Sequence, residues 1–130
     1  MAALMPYLLV GIGGFLGANA RFVLARAIGT AVATRFPLGT FAINVTGSFL
    51  LGLLGTVVAA RLTPSSESMR LALGVGFLGA YTTFSTFEFE THALVEDGAW
   101  VMGTANMALS LVVGFVAVRL GVVVARTWLL

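Results

Sequence analysis

The nine residues Gly79-Ala80-Tyr81-Thr82-Thr83-Phe84-Ser85-Thr86-Phe87 set four aliphatic hydroxyls among three aromatic rings, inside an otherwise apolar chain. A lipid-facing helix has no use for that many hydroxyls. Phe84 and Phe87 are spaced i, i+3, so a helix running through them points both the same way, while Phe89 falls off that face. An aromatic ring has a negative face and a positive edge, so ring edges favour an anion without any fixed charge. Thr83, Ser85 and Thr86 add neutral donors. Such a lining suits a small anion that trades its hydration shell for many weak contacts; an Arg or Lys lining would hold the ion too firmly to release it. Core packing is the other use of the two rings, and the spacing leaves both open. The same stretch predicts a helix broken between Gly79 and Thr83. Backbone carbonyls freed there suit a hard cation such as Na⁺, and two from each chain of a two-fold pair would make a four-oxygen cage.

The elements that hold this stretch are membrane helices. Of the 130 residues, 59% are hydrophobic and 9% charged, against about 25% charged in a soluble domain; mean hydropathy is +1.05. The fold class expected is therefore an all-α integral membrane protein, one domain over residues 1–130, with four spans at about 6–28, 38–61, 69–95 and 100–126. Cysteine is absent and His92 is the only histidine, which removes disulfides, thiol catalysis and a His-rich metal site. The charge of +2 comes from seven arginines, too few to argue for nucleic acid. Nothing supports an enzyme. No phosphate loop or nucleophilic triad is present, and Glu88, Glu90, Glu96 and Asp97 lie toward one membrane edge. The N-terminus lacks the basic region of a cleaved signal peptide, so the first segment reads as a retained helix.

Each span carries small or polar residues at helical spacing. In the first, Gly13 and Gly17 form a small-xxx-small pair that lets helices approach closely, and Gly14, Gly17, Ala18 and Arg21 share a face; Arg21 either snorkels to the interface or faces a path. In the second, Asn44, Gly47, Ser48 and Leu51 share a face. A mid-membrane asparagine needs a partner, either another helix or a polar path. In the fourth, Gly103, Asn106, Ser110 and Gly114 form one stripe, for packing or for a path, and Trp100 and Trp128 flank it as interfacial anchors.

Arginines barely distinguish the two ends. Arg61, Arg70 and Arg126 stand on one side, with Arg119 deeper; Arg26 and Arg35 stand on the other, with Arg21 deeper. Three against two is a weak signal under the positive-inside rule, and it predicts a chain that inserts both ways. Four short spans also enclose little on their own. An antiparallel homodimer is expected, with the two breaks of the third span meeting at the two-fold axis.

Three blocks resemble the Fluc (CrcB) fluoride channels: Gly13 to Arg21, Gly39 to Phe49, and above all Gly76-Phe77-Leu78-Gly79-Ala80-Tyr81-Thr82-Thr83-Phe84-Ser85-Thr86-Phe87. With the four-span spacing, the resemblance covers essentially the whole chain. It implies a multi-pass, dual-topology antiparallel homodimer in the cell (inner) membrane with two fluoride pores. Phe84, Phe87, Asn44 and Ser110 would line a pore, together with Thr83 and Asn106. Arg21 and Glu90 would stand at the pore mouths. A structural Na⁺ would sit at the dimer centre, on the backbone carbonyls of Gly79 and Thr82. The chain departs from the family pattern at Ala80, where a second glycine is frequent, and at Asn106, where many members carry tyrosine. Two other readings compete. A small dual-topology, proton-coupled multidrug exporter needs a membrane-buried carboxylate, usually in its first helix, and the first span has none. A non-conducting assembly subunit explains the glycines but not the hydroxyl-aromatic block.

Overall fold

A computed structural model describes residues 2–61 and 63–130; Met1 and Leu62, within the expected domain 1–130, lie outside the described residues. All regular structure among the described residues is helical. After a short turn at Ala2–Leu4, α1 runs Met5–Ala31 with Pro6 in its first turn, where its missing N–H costs nothing. Helix α2 runs Leu38–Ala60. Helix α3 covers 64–81, α4 covers Phe84–Glu96, and α5 runs Trp100–Val124 and winds on through Ala125–Leu129. Helices α1, α2 and α5 are each long and apolar enough to cross a membrane. The remaining crossing is made by α3 and α4 in series.

Helix α3 starts five residues before the expected span, at Pro64, because a cap is available. Thr63 accepts from the Ser66 N–H, and Ser66 reciprocates toward the Thr63 backbone. Arg70 then grips Glu67 with Nε–Oε2 at 2.8 Å and a second contact at 2.7 Å, and this hydrogen bonding holds the Glu67 carboxyl below its usual range. From Arg70 to Leu78 the helix is π-wound, a rare winding over nine residues. Gly79–Tyr81 returns to α.

The chain packs as two helix pairs. Helix α1 lies chiefly along the 70–78 stretch, and α2 chiefly along α5. Glycine makes both possible. A Cβ at Gly13 would run into the Ala72 carbonyl, one at Gly17 into Phe77, one at Gly52 into Val118, and one at Gly121 into Phe49. The expected Gly13/Gly17 pair therefore works inside the chain. Ile43, Leu78 and Tyr81 form the buried centre, where α2 meets the end of α3. At one end of the molecule Arg61 reaches the Leu129 carbonyl at 3.4 Å. At the other, Arg35 lies 3.5 Å from Asp97. The α1–α2 and α4–α5 connections thus share one end, and the α2–α3 connection shares the other with the C-terminus, as four crossings require.

Candidate functional site

The site is built where α3 stops. The expected break spans Gly79 to Thr83; the structure confines it to Thr82 (φ −80°, ψ 158°) and Thr83 (φ −151°, ψ 118°), with Gly79 still helical. The reason lies in α2 rather than in the glycine. Asn44 accepts from the Thr83 N–H at 2.8 Å and donates to the Thr83 carbonyl at 2.9 Å. That N–H would otherwise have closed the helical bond on the Gly79 carbonyl. Four residues further on from Thr82, the Thr86 N–H is likewise engaged, by the Thr83 hydroxyl at 3.3 Å. Thr83 thereby caps α4 as it captures Thr86. Gly79 and Thr82, the two residues whose carbonyls the resemblance assigns to a cation, each lose their ladder partner to a named side chain. The 13 residues of α4 and the 13 that precede the break, 69–81, each rise roughly 20 Å, so in a hydrocarbon core near 30 Å thick the break falls well inside the membrane.

Beside the break is an open cleft of about 260 Å³ lined by Asn44, Gly47, Ser48, Leu51, Thr82, Thr83, Phe84, Phe87, Ser110 and Leu111. Of the six residues expected in a pore, five line it: Asn44, Thr83, Phe84, Phe87 and Ser110. The two rings lie 5.8 Å apart at 45°, Phe87 almost buried at 7% exposure and Phe84 open at 72%. None of the lining residues carries a charge. Asn106 is not on the cleft wall. It is 1% exposed, donating to the Thr91 hydroxyl at 2.8 Å and accepting from Ser110 at 3.4 Å, and Thr91 donates on to the Phe87 carbonyl at 2.7 Å. The stripe on α5 is thus a packing surface at Gly103 and Asn106 and reaches the cleft at Ser110.

Counting hydroxyl protons shows which donors are left free toward the cleft. Thr82 gives its proton to the Leu78 carbonyl at 2.9 Å, and Thr83 gives its own to Thr86 at 2.9 Å. Asn44 retains one N–H beyond its bond to Thr83. Ser110 holds only a long bond, and Ser48 lines the cleft as well. Ser48 is legible as the i+4 neighbour of Asn44, yet no feature of its own marks it as a site residue.

Neither expected vestibule residue reaches the cleft. Glu90 lines a separate cavity of about 270 Å³ with Thr40, Pro37 and Phe36, and its Oε2 is buried without a partner among the described residues. Arg21 sits half-buried on α1.

Residues 8–122 match the family described as CrcB-like protein, Camphor Resistance (CrcB). A protein of Solibacter usitatus named fluoride-specific ion channel FluC is 48% identical over 94% of this chain and 99% of its own length. One from Acidobacterium capsulatum with the same name is 52% identical over 94% of this chain and 97% of its own length. A third, from Sorangium cellulosum, is 44% identical over 90% and 91%. Matched across nearly its whole length on both counts, the chain belongs to the CrcB family.

Proposed function

We propose that this protein is a passive, fluoride-selective channel of the cell membrane that lets fluoride leave the cytoplasm. Two things support the reading: the names of its relatives, and the character of the cleft. The observation that carries it is a lining of two phenylalanine rings and neutral donors with no fixed charge. Fluoride is small and strongly hydrated, so it needs many substitutes for water. Asn44, Ser48 and Ser110 offer N–H and O–H groups, and Phe84 and Phe87 offer ring edges. Each contact is weak, so the ion can move on. Acid surroundings bring hydrogen fluoride across a membrane, which dissociates inside; an exit for the anion protects the cell. The chain is in this reading a conduit rather than an enzyme.

The channel works as an antiparallel homodimer of dual topology. A cleft open on one side needs a second wall, and exposed Gly79 leaves the end of α3 accessible to a second chain. Na⁺ fits this place, because the Gly79 and Thr82 carbonyls are released from the ladder and are uncharged hard oxygens. Residues 79 and 82 of both chains would hold it, and the ion would supply positive charge where two sets of carbonyls meet. The exporter reading finds no support in α1, which has no carboxylate between Met5 and Ala31.

The test is efflux from liposomes read with a fluoride electrode. The purified protein should pass fluoride while chloride stays trapped. A ring-edge contact of roughly 1.4 kcal/mol at the barrier corresponds to about tenfold in rate, so Phe84→Ile and Phe87→Ile should each lower flux by about that factor or more. Well-folded protein that passes no fluoride would overturn the function; undiminished flux in both variants would remove the rings from the path.

A further inference from the structure

Helix α2 touches each of the three residues that end α3 and form its break. Asn44 holds the Thr83 backbone from both sides. Gly47 lets the helix approach so closely that a Cβ there would collide with the Thr82 methyl group and crowd the Tyr81 ring. The Thr46 and Tyr81 hydroxyls lie 2.9 Å apart. The direction of that last bond follows from proton counting. Thr46 has one hydroxyl proton, and it is directed at the Ala42 carbonyl at 2.7 Å, so Tyr81 donates to Thr46. The phenol is otherwise enclosed: Tyr81 is 6% exposed and stacks on Phe77 at 5.8 Å and 12°. A buried phenol whose one polar atom meets a neighbouring helix has a single seated position. Tyr81 lies between Gly79 and Thr82, the two residues whose carbonyls have lost their ladder partners.

We propose that Tyr81 and Thr46 are positioning residues for the Na⁺ site: their hydroxyl pair fixes the segment from Gly79 to Thr82, so that α2 sets how well the carbonyls of α3 receive the ion. This rests on the reading that Na⁺ binds those carbonyls. Neither residue lines the anion cleft, so their effect on the cation is separable from the fluoride path. Asn44 belongs to the same clamp, but it also faces the cleft and is a poorer probe.

The measurement is thermal unfolding of the detergent-purified full chain across a series of NaCl concentrations, with N-methylglucamine chloride keeping ionic strength constant. The half-saturating Na⁺ concentration is read from the rise in midpoint. Tyr81→Phe keeps the ring and its stacking and loses only the hydroxyl. It should raise the half-saturating concentration by about fivefold, the factor one hydrogen bond of ordinary net strength represents. Thr46→Val should do the same, Thr46→Ser should restore the wild-type value, and the double variant should be no worse than either single one. A purely structural bond would lower the midpoint equally at every Na⁺ concentration, leaving the half-saturating value unchanged, and that result overturns the proposal. A wild-type midpoint insensitive to Na⁺ overturns the cation reading and this inference together. Should Tyr81→Phe not fold, the Thr46 pair of variants gives the same decision from the other helix.

Discussion

Asn44 does two jobs with one amide. Its oxygen and one N–H hold the Thr83 backbone, and its other N–H remains for the cleft. Asn44→Ala leaves a part-buried N–H and C=O without partners near mid-membrane, at a cost of roughly 1–3 kcal/mol each. The expected outcome is a lower unfolding midpoint in detergent together with lost fluoride flux. Asn44→Asp should also fail, since a carboxylate cannot donate to the Thr83 carbonyl. A variant as stable as wild type would show that the break stands without this amide. Sequence alone leaves Asn44 between an interhelical bond and a polar path, and it has no means to decide. The partner is main chain 39 residues away, and a backbone group has no signature in a sequence. Phe84 and Phe87 are legible from spacing and ring chemistry. Asn106 is legible as polar and inward, but not as a residue behind the wall; its placement depends on Thr91, which nothing in the sequence singles out.

At the scale of elements, the glycines divide into those that contact another helix and those that do not. Gly13→Ala and Gly17→Ala drive a methyl into main chain, which cannot move aside as a side chain can. Each should lower the stability measured by thermal unfolding in detergent by about 1–3 kcal/mol, the range typical of overpacking. Gly11 and Gly55 have nothing within 4 Å of where an added methyl would stand. Alanine there should be neutral or stabilise by up to about 1 kcal/mol through helix propensity. Should either instead reduce the dimer fraction in crosslinking, that glycine faces the second chain. Helix number is readable from hydropathy, but the start of the third crossing is not, because its cap at Thr63 lies ahead of the apolar run that marks the span. The π-winding of Arg70–Leu78 is not, because apolar residues occupy that stretch on every side and leave no periodicity to shift. The expected break begins too early for a related reason: glycine advertises a weak helix, whereas the actual stop is a side chain arriving from α2.

At the scale of the molecule, Arg61, Arg70 and Arg126 mark one end and Arg26 and Arg35 the other, and the contacts Arg61–Leu129 and Arg35–Asp97 fix which loops share an end. Glu67 offsets Arg70 at the first end, and Asp97 offsets Arg35 at the second. Charge therefore gives little direction to insertion. Three lysines appended after Leu130 should bias the chain to one orientation and abolish fluoride flux from cells, and co-expression with an oppositely biased copy should recover it. Full activity from a chain shown by protease accessibility to have one orientation would defeat the antiparallel arrangement.

The polar run from Ser110 through Asn106 and Thr91 to the Phe87 carbonyl donates in one direction throughout. Ser110 directs its proton inward, and at 3.4 Å that bond is long and easily exchanged. On the proposed fluoride path such a wall would act as a solvent that heals behind a moving solute. If fluoride passes here as proposed, the Ser110 hydroxyl would turn to the anion and, on its departure, back to Asn106, so that no unmet donor holds the ion in place. Reluctance to let go, the usual drawback of a good binding site, would be removed by the wall's capacity to solvate itself.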